Sequence, residues 1–255
     1  MENTMWRDDG RWVEPFLGSG VVMFNMAPSR AVASELNPHI VDFYRGIQDG
    51  SIGHAVVRRF LEREGMILSQ EGESYYYEVR DRFNSRGDPL DFLFLNRACF
   101  NGLMRFNSKG RFNVPFCKKP GRFTKSYITK IANQVRWTEE VVKGKRWVIK
   151  EMDWKESLEK IKLGDFLYLD PPYYGRSTNY YDVWVESDIR DLADFLRSND
   201  VRFALSLWHS NKYRKNPDIK RYFSGFTIKK HEHFYHLGAS EDLRNTMTEV
   251  LIMRL

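Results

Sequence analysis

The stretch YLDPPY, residues 168–173, gathers residue types that could do chemistry at the end of a strand. Asp170 follows the apolar run Phe166–Leu169, and Pro171 and Pro172 come directly after it. Proline has no backbone N–H and disfavours helical geometry in the preceding residue, so the strand must stop there. A carboxylate and free backbone carbonyls then stand as hydrogen-bond acceptors beside the ring of Tyr173. The alternative is an ordinary turn or helix N-cap carboxylate.

A second candidate is the glycine loop EPFLGSG, Glu14–Gly20. A phosphate-binding P-loop needs Lys and Ser or Thr after its last glycine, and valine occupies position 21 here. The dinucleotide-binding fingerprint needs a third glycine where Met23 stands. Both of these cofactor classes are therefore excluded by the residues that follow the loop.

What remains is a tight turn from a strand to a helix. Gly18 and Gly20 allow such a turn and let the backbone approach a ligand closely. Glu35 ends the next predicted strand, where nucleoside-binding α/β folds place an acidic residue on the ribose hydroxyls. The alternative is a simple glycine turn with a surface glutamate.

The elements that must position these residues form three blocks. Residues 12–55 predict a strand, a glycine turn, a helix, a strand and a helix, which is typical of a doubly wound α/β fold. The patterns at 55–68, 74–84 and 89–100 predict helices, and residues 149–255 return to alternating strands and helices. We therefore expect an α/β domain formed by residues 1–56 and 149–255, interrupted by a mainly helical domain of residues 57–148.

Charge is distributed unevenly along the 255 residues. The formal net charge is +6, but the segment from Arg97 to Lys150 holds fourteen Lys or Arg and only Glu139 and Glu140 as acids. Aromatic residues alternate with these cations. A solvated basic face is one interpretation, but so one-sided an imbalance favours a surface that binds nucleic-acid phosphates.

Several other classes of protein are disfavoured by composition. Cys99 and Cys117, the two cysteines, form no CxxC pair, so we expect no zinc site and a reduced, cytoplasmic setting. His231, His233 and His236 lack the spacing of known metal motifs, and we expect no metal. The sequence has no apolar run of transmembrane length, and its first residues are too polar for a signal peptide.

Three motifs in order carry a resemblance to a known family. They are FLGSG at residues 16–20, LNRACFNGLMRFNSKGRFNVPFCKK at residues 95–119, and DPPY at residues 170–173. Their order and spacing resemble the Dam-type (α group) DNA adenine-N6 methyltransferases, and the resemblance extends over about residues 12–255. Within this family the nearest resemblance is to EcoRV-type modification methylases.

The resemblance implies a Rossmann-like methyltransferase fold that uses S-adenosylmethionine, with an inserted DNA-recognition domain. It also implies the catalytic residues Asp170, Pro171, Pro172 and Tyr173. The Asp170 carboxylate and the Pro171 carbonyl would accept the two N–H groups of a flipped-out adenine amine, with Tyr173 stacked on the base. Tyr180 and Tyr181 are expected to help close over that base.

Cofactor contacts follow from the same resemblance. Glu35 would bind the ribose, and Asp153 and Trp154 lie where relatives hold the cofactor's adenine, although Trp154 could equally be a core residue. The full expected set is Trp12, Glu14, Pro15, Phe16, Gly18, Gly20, Glu35, Asp153, Trp154 and Asp170.

DNA contacts are expected in the segment between the motifs. Arg105 stands where relatives place a guanine-reading arginine, while Phe100 and Asn101 stand where they place a wedge and a partner for the orphan base. A core position is the alternative for Phe100. The full expected set is Arg97, Phe100, Asn101, Arg105, Asn107, Lys109, Arg111, Lys118, Lys119 and Arg122, several of them as phosphate contacts.

One departure from the family concerns the residues before the glycine loop. Members usually carry a K-x-x-G-x-K-like segment there, whereas the first lysine of this sequence is Lys109. Three alternatives follow: the segment lies outside this sequence, a group such as Trp6 or Arg7 replaces it, or cofactor binding is weak.

The predicted function is site-specific adenine methylation of double-stranded DNA. The expected target is a palindrome beginning GAT, with GATATC favoured and GATC second. We expect a role in restriction–modification, paired with an endonuclease without direct contact, in a bacterial, archaeal or viral setting and associated with the nucleoid. The alternatives are a catalytically weak or silent DNA-binding homologue and an RNA adenine methyltransferase.

Overall fold

A computed structural model describes residue 6 and residues 8–172, 181, 184–234 and 246–255. Tyr173, Tyr180 and Arg7, named above, lie outside these described residues. Within them the helices are α1 (Val21–Met26), α2 (Pro38–Asp49), α3 (His54–Glu71), α4 (Glu73–Arg86), α5 (Pro89–Ala98), α6 (Lys125–Val142), α7 (Trp154–Glu159), α8 (Glu186–Ser198) and α9 (Asp218–Tyr222).

The strands form one mixed sheet in the order β3-β2-β1-β4-β5-β7-β6. Their bounds are β1 (Trp12–Glu14), β2 (Arg30–Glu35), β3 (Arg146–Glu151), β4 (Phe166–Leu169), β5 (Arg202–Asn211), β6 (Thr227–Phe234) and β7 (Thr246–Arg254). Five neighbouring strands, β3, β2, β1, β4 and β5, pair in parallel. Strand β7 pairs antiparallel with both β5 and β6. The predicted doubly wound α/β fold is confirmed.

Helices cover both faces of the sheet because successive strand residues point to opposite sides. Val13 and Leu167 face a core shared with Leu192 of α8 and Ile219 of α9. Trp12, Phe166 and Ala204 face a second core shared with Met23 and Phe24 of α1 and Val41 of α2. This second face is the one on which Glu14 and Asp170 stand, since they follow Trp12 and Tyr168 by two residues.

Helices α3 to α6 form a helical insert (residues 54–142) between β2 and β3. It has its own apolar core, which includes Leu61, Tyr76, Phe94 and Ile131. Inside it, Arg82 donates to Asp91 Oδ1 at 2.5 Å and to Glu64 Oε2 at 2.8 Å. Paired carboxylates of this kind can be buried because the guanidinium satisfies them. The division of the chain into domains stays a prediction.

Two elements inside the basic segment were not predicted. Thr124 caps α6 by accepting from Tyr127 N–H, and the helix buries Ile128, Ile131 and Val135 at a spacing of three and four residues. Strand β3 begins at Arg146, before the predicted boundary at residue 148. Its buried Trp147 and Ile149 alternate with the exposed Arg146, Val148 and Lys150. Only three apolar residues stand together between charged ones, which makes the strand resemble a solvated segment in composition.

No helix in the described part of the chain is both long and apolar enough to cross a membrane.

Candidate active site

Three carboxylates lie at the same edge of the sheet. Glu14 ends β1, Glu35 ends β2, and Asp170 follows the last residue of β4. Because β1 pairs in parallel with both β2 and β4, the carboxyl ends of all three strands point the same way. Strand order reverses at β1, and doubly wound sheets bind ligands in the crevice at such a point. The fold thus brings the glycine loop and Asp170 to one crevice.

The glycine loop depends on its two glycines for different reasons. Gly18 and Gly20 have positive φ angles of 48° and 64°, which other residues adopt only at a cost. A Cβ on Gly20 would lie 2.5 Å from the Phe24 ring, whereas a Cβ on Gly18 would meet nothing within 4 Å. Gly20 therefore allows α1 to pack, and Gly18 leaves the loop open to a close ligand.

The Glu35 carboxylate is oriented by two backbone N–H groups. Gly18 N–H donates to its Oε2 at 2.9 Å and Asn37 N–H donates to its Oε1 at 2.9 Å. Each carboxylate oxygen can accept more than one hydrogen bond. A half-buried carboxylate fixed in this way at the end of β2 can also receive a pair of hydroxyl groups.

Glu14 is the most deeply buried of the three carboxylates. It is 2% exposed, and Trp12 Nε1–H donates to its Oε2 at 2.7 Å. Burial raises the pKa of Glu14 to about 8, against the Trp12 hydrogen bond and with a smaller contribution from Asp170. Glu14 is consequently protonated at neutral pH. The Trp12 ring is stacked on Phe166 and Tyr168 in the core. Trp12 therefore affects the crevice only through its hydrogen bond to Glu14.

Asp170 is exposed to solvent, although protein atoms surround it closely. Burial raises the pKa of Asp170 to about 6, and the charge of Glu249 on β7 raises it further in the same direction. Pro171 is buried and Pro172 is half-buried. Pairing of β4 with β5 ends at Leu169, so the backbone of Asp170 and Pro171 lies beyond the ladder.

An aromatic cluster closes one side of the glycine loop. The Phe16 ring centroid lies 6.1 Å from that of Trp154 and 5.4 Å from that of Trp184. Trp154 is only 6% exposed, which agrees with the core alternative for this residue. Asp153 caps α7 by accepting from Lys155 N–H at 2.8 Å, and Pro15 is buried. Phe16 is half-buried and presents more surface to a ligand than Trp154 does.

A family model matches most of the chain. The model for D12 class N6 adenine-specific DNA methyltransferases matches residues 1–237. The chain belongs to this family. Membership implies S-adenosylmethionine as the cofactor, DNA as the substrate class and a methyltransferase activity, and it agrees with the predicted methyltransferase fold.

Proteins of similar sequence carry matching names. The type II methyltransferase M.MjaIII of Methanocaldococcus jannaschii is 30% identical over 241 residues, which cover 86% of this chain and 79% of that protein. The retron Ec67 DNA adenine methylase of Escherichia coli is 30% identical, covering 73% of this chain and 63% of that protein. The DNA adenine methylase of Haemophilus influenzae is 25% identical, covering 80% and 75% respectively.

The residues at this edge of the sheet of the D12 methyltransferase fit S-adenosylmethionine in charge and in hydrogen-bonding capacity. Gly18 is open to close approach, and Glu35 is set to accept hydroxyl hydrogen bonds. Asp170 would supply negative charge for the sulfonium, since a cation is favoured next to carboxylates. Glu14, Phe16, Gly18, Glu35 and Asp170 are the residues whose positions suit this role best.

The predicted DNA-contact segment forms a recognition hairpin (residues 99–117). Two antiparallel bridges, Cys99 with Phe116 and Phe106 with Phe112, hold it together. Its inward side chains include Phe106 (2% exposed) and Phe112 (1% exposed), which join the core of the helical insert. At the tip, Asn107 Oδ1 accepts from the backbone N–H groups of Lys109 and Arg111. Asn107 therefore shapes the turn that presents those two cations.

The side chains predicted to read bases lie on the outer face of this hairpin. Arg105 is exposed, and its Nε donates to Asn113 Oδ1 at 2.9 Å, which fixes the direction of the guanidinium. Phe100 is 50% exposed, so the core alternative for this ring is wrong. Asn101 is exposed and has a φ of 54°, a conformation that asparagine tolerates better than most residues.

The predicted phosphate contacts divide into two groups. Lys109, Arg111, Lys118 and Lys119 are exposed. Arg97 and Arg122 are half-buried beside a surface cavity of about 600 Å³, and Arg122 Nε donates to the Arg97 carbonyl. The second group therefore has a structural role as well.

Two residues near the crevice were missed from the sequence. Glu249 interrupts an apolar strand pattern, and that interruption was the available signal. Tyr44 on α2 donates its hydroxyl to the Ser19 carbonyl at 2.5 Å, behind the glycine loop. Of the histidines, His209 is 9% exposed and its Nδ1 lies 2.7 Å from Ser210 Oγ. Within the described residues no cluster of three or more His, Cys, Asp and Glu is placed to hold a metal ion.

Proposed function

We propose that this D12 methyltransferase methylates N6 of an adenine that has been flipped out of duplex DNA. The proposal depends chiefly on one observation: Asp170, at the end of β4, shares a crevice with the glycine loop and the Glu35 carboxylate. Acceptors for an amine therefore lie next to acceptors for a ribose. Bound S-adenosylmethionine supplies the methyl group.

Asp170 and the carbonyl of Pro171 accept the two N–H groups of the target amine. An exocyclic adenine amine is a poor nucleophile because its lone pair is delocalised into the ring. Two acceptors on one side draw the nitrogen towards tetrahedral geometry and leave the lone pair available for in-line attack. Positioning and electrostatic stabilisation thus provide most of the catalysis.

Asp170 also receives the proton that the amine loses after methyl transfer. The methylated amine is cationic at that point and is far more acidic than the neutral amine. A carboxylate with a pKa of about 6 accepts this proton more readily than an ordinary aspartate does. Water at the open side of the cleft can then carry the proton away.

Flipping the adenine costs a few kcal/mol of lost stacking and pairing. Phe100, half exposed on the turn after α5, is the side chain that enters the gap in the stack. Tyr173, which follows the two prolines, stacks on the flipped base. Asn101 faces the orphaned partner base.

The proposed target is a palindrome that begins with GAT, with GATATC favoured over GATC. Arg105 reads the guanine through its two terminal nitrogens, which can bind O6 and N7 together. Its orientation by Asn113 supports this role, since a fixed guanidinium loses less entropy on binding. We also propose a functional pairing with a restriction endonuclease, without direct contact, in the cytoplasm.

The test is methylation of plasmid DNA followed by digestion with methylation-sensitive restriction enzymes. We expect protection of GATATC sites but not of isolated GATC sites. Asp170→Ala should abolish methyl transfer while DNA binding survives. Failure of the wild-type protein to methylate DNA, despite binding both DNA and methyl donor, would identify a silent homologue. Transfer to structured RNA alone would favour an RNA methyltransferase.

A further inference from the structure

A second basic surface lies outside the recognition hairpin, where β5 ends. We name it the β5 turn (residues 211–216), with the sequence Asn-Lys-Tyr-Arg-Lys-Asn. Asn211 N–H donates to the Arg214 carbonyl at 2.9 Å, and Asn211 Oδ1 accepts from Tyr213 N–H at 2.9 Å. Asn216 N–H donates to the His209 carbonyl at 2.7 Å and closes the base of the turn. The turn is therefore held in one shape by its own backbone.

This surface carries five exposed cations. Lys212, Arg214 and Lys215 of the β5 turn are exposed, as are Lys229 and Lys230 on the edge strand β6. In the part of the chain that the structure describes, no carboxylate forms an ion pair with any of these five side chains. By contrast, Arg11, Arg82, Lys155 and Arg202 each pair with an acidic residue.

Two of these cations, Lys215 and Lys230, lie near the same histidine. The pKa of His209 is lowered first by burial and then by the charges of Lys230 and Lys215. Arg214 lies with its guanidinium carbon 4.9 Å from the centroid of the Trp208 ring, and Lys212 Nζ lies 5.8 Å from that of Tyr213. Unpaired cations that repel one another are costly to gather unless an anion shares the surface.

The β5 turn lies at the same edge of the sheet as the crevice. Strand β5 is the neighbour of β4, which leads to Asp170, and both strands end at the same edge of the sheet. The helical insert instead packs on α1 and α2, through α5 and α6, and α2 in turn lies against β3 on the other half of the sheet. Positive surfaces thus flank the acidic strand ends on both sides.

From this arrangement we propose that the β5 turn binds the DNA backbone on the side of the target base away from the recognition hairpin. This inference rests on the proposed function and adds a second, sequence-independent contact to it. Lys212, Arg214 and Lys215 bind phosphates, and the exposed Tyr213 lies against the backbone between them. A duplex gripped from both sides of Asp170 is held while one base leaves the stack.

The test is DNA binding by the full chain carrying Lys212→Gln, Arg214→Gln and Lys215→Gln, measured by fluorescence anisotropy at about 50 to 200 mM salt. Loss of three phosphate contacts should reduce the slope of log K against log salt by about 2 to 3, and affinity should fall at least about tenfold. Cognate and non-cognate duplexes should lose affinity equally, because phosphate contacts carry no sequence information.

The matched control carries the same loss of charge at three exposed cations outside both the basic segment and the β5 turn, through Arg59→Gln, Lys162→Gln and Arg190→Gln. It should keep the wild-type salt slope. A second variant has Lys212, Lys215 and Lys230 changed to Gln and keeps the contact of Arg214 with the Trp208 ring. It replaces the first variant in the same measurement if the first does not fold.

Duplex length provides an independent readout. Extending a short cognate duplex by about one helical turn on each side should improve binding to the wild-type protein but not to the β5-turn variant. An unchanged slope in the β5-turn variants, or a loss confined to cognate DNA, would overturn the proposal while methylation by the wild type stands. Absence of wild-type methylation would instead count against the proposed function.

Discussion

Phe106 of the recognition hairpin lies edge-on against Tyr181, with 5.0 Å between the ring centroids and 76° between the ring planes. Tyr181 comes from the segment that follows Asp170–Pro172, and Phe106 is adjacent to Arg105, the proposed guanine reader. His39 of α2 stacks on the other side of Phe106, at 5.3 Å. The buried ring of Phe106 therefore connects the hairpin, α2 and the segment that follows Pro172.

The first prediction concerns this contact. Tyr181→Ala and Phe106→Leu should each lower methylation of cognate DNA, and their effects should be non-additive by about 0.5 to 1.5 kcal/mol, the value of an aromatic pair. The measurement is a double-mutant cycle on kcat/KM. Tyr181→Phe keeps the ring and should therefore keep the coupling with Phe106. Strictly additive losses would mean that the two rings act independently.

A second prediction follows from the pKa of Asp170, about 6. Methyl transfer needs the ionised carboxylate as an acceptor, so the rate should fall as the pH drops through about 6. Glu249→Gln removes a charge that raises this pKa and should move the acidic limb of the pH–rate profile to lower pH. Glu232→Gln, an equal change of charge at an exposed site on β6, should leave the limb in place. Equal shifts in both variants would contradict a specific effect of Glu249.

Glu14 leads to a third prediction, on stability. Its pKa rises from 4.5 to about 8 on folding, so between these values the folded state binds a proton that the unfolded state does not. The free energy of unfolding should consequently decrease as the pH rises from about 4.5 to about 8, by on the order of 1 kcal/mol or more. Glu14→Gln should flatten this dependence in urea titrations at several pH values. A steeper dependence in the variant would show that another group titrates there.

The glycine loop gives a fourth prediction, in which Gly18 and Gly20 are compared because both have a positive φ angle. Gly20→Ala adds a clash with Phe24 to the backbone strain and should destabilise the protein by about 1–3 kcal/mol, seen as a lower Tm. Gly18→Ala introduces only the backbone strain of a positive φ angle, without a clash, and should therefore destabilise the protein less than Gly20→Ala. Cofactor affinity measured by calorimetry should nevertheless fall in Gly18→Ala, because the open approach is lost. Normal cofactor binding by that variant would show that no ligand lies close to Gly18.

The sequence predicted the helices and strands whose apolar pattern is continuous along the chain. Strands β1, β2, β4 and β5 and helices α3, α4 and α5 follow from apolar periodicity and from the glycine and proline positions. Strand β3 was missed because its three apolar residues are flanked by charged ones, and α6 because a basic composition obscured its apolar stripe.

The site shows the same division between local and long-range information. The residues of the glycine loop and Asp170 could be chosen from motifs, since each motif is continuous in the chain. The effect of Glu249 on Asp170 could not, because it arises only when β7 returns antiparallel to β5. The burial of Trp154 depends on Trp184, a partner that no local pattern identifies.

The helical insert leaves the sheet after β2 and rejoins it at β3, so the whole unit occupies one crossover between adjacent parallel strands. Arg30 pairs with Arg146 and Glu35 pairs with Glu151 regardless of what lies between them. Loop-closure entropy grows only slowly with loop length, so this crossover tolerates large changes in content. A lineage can therefore exchange or rebuild the insert, and with it the proposed recognition of DNA sequence, while Glu14, Glu35 and Asp170 keep their places at the strand ends.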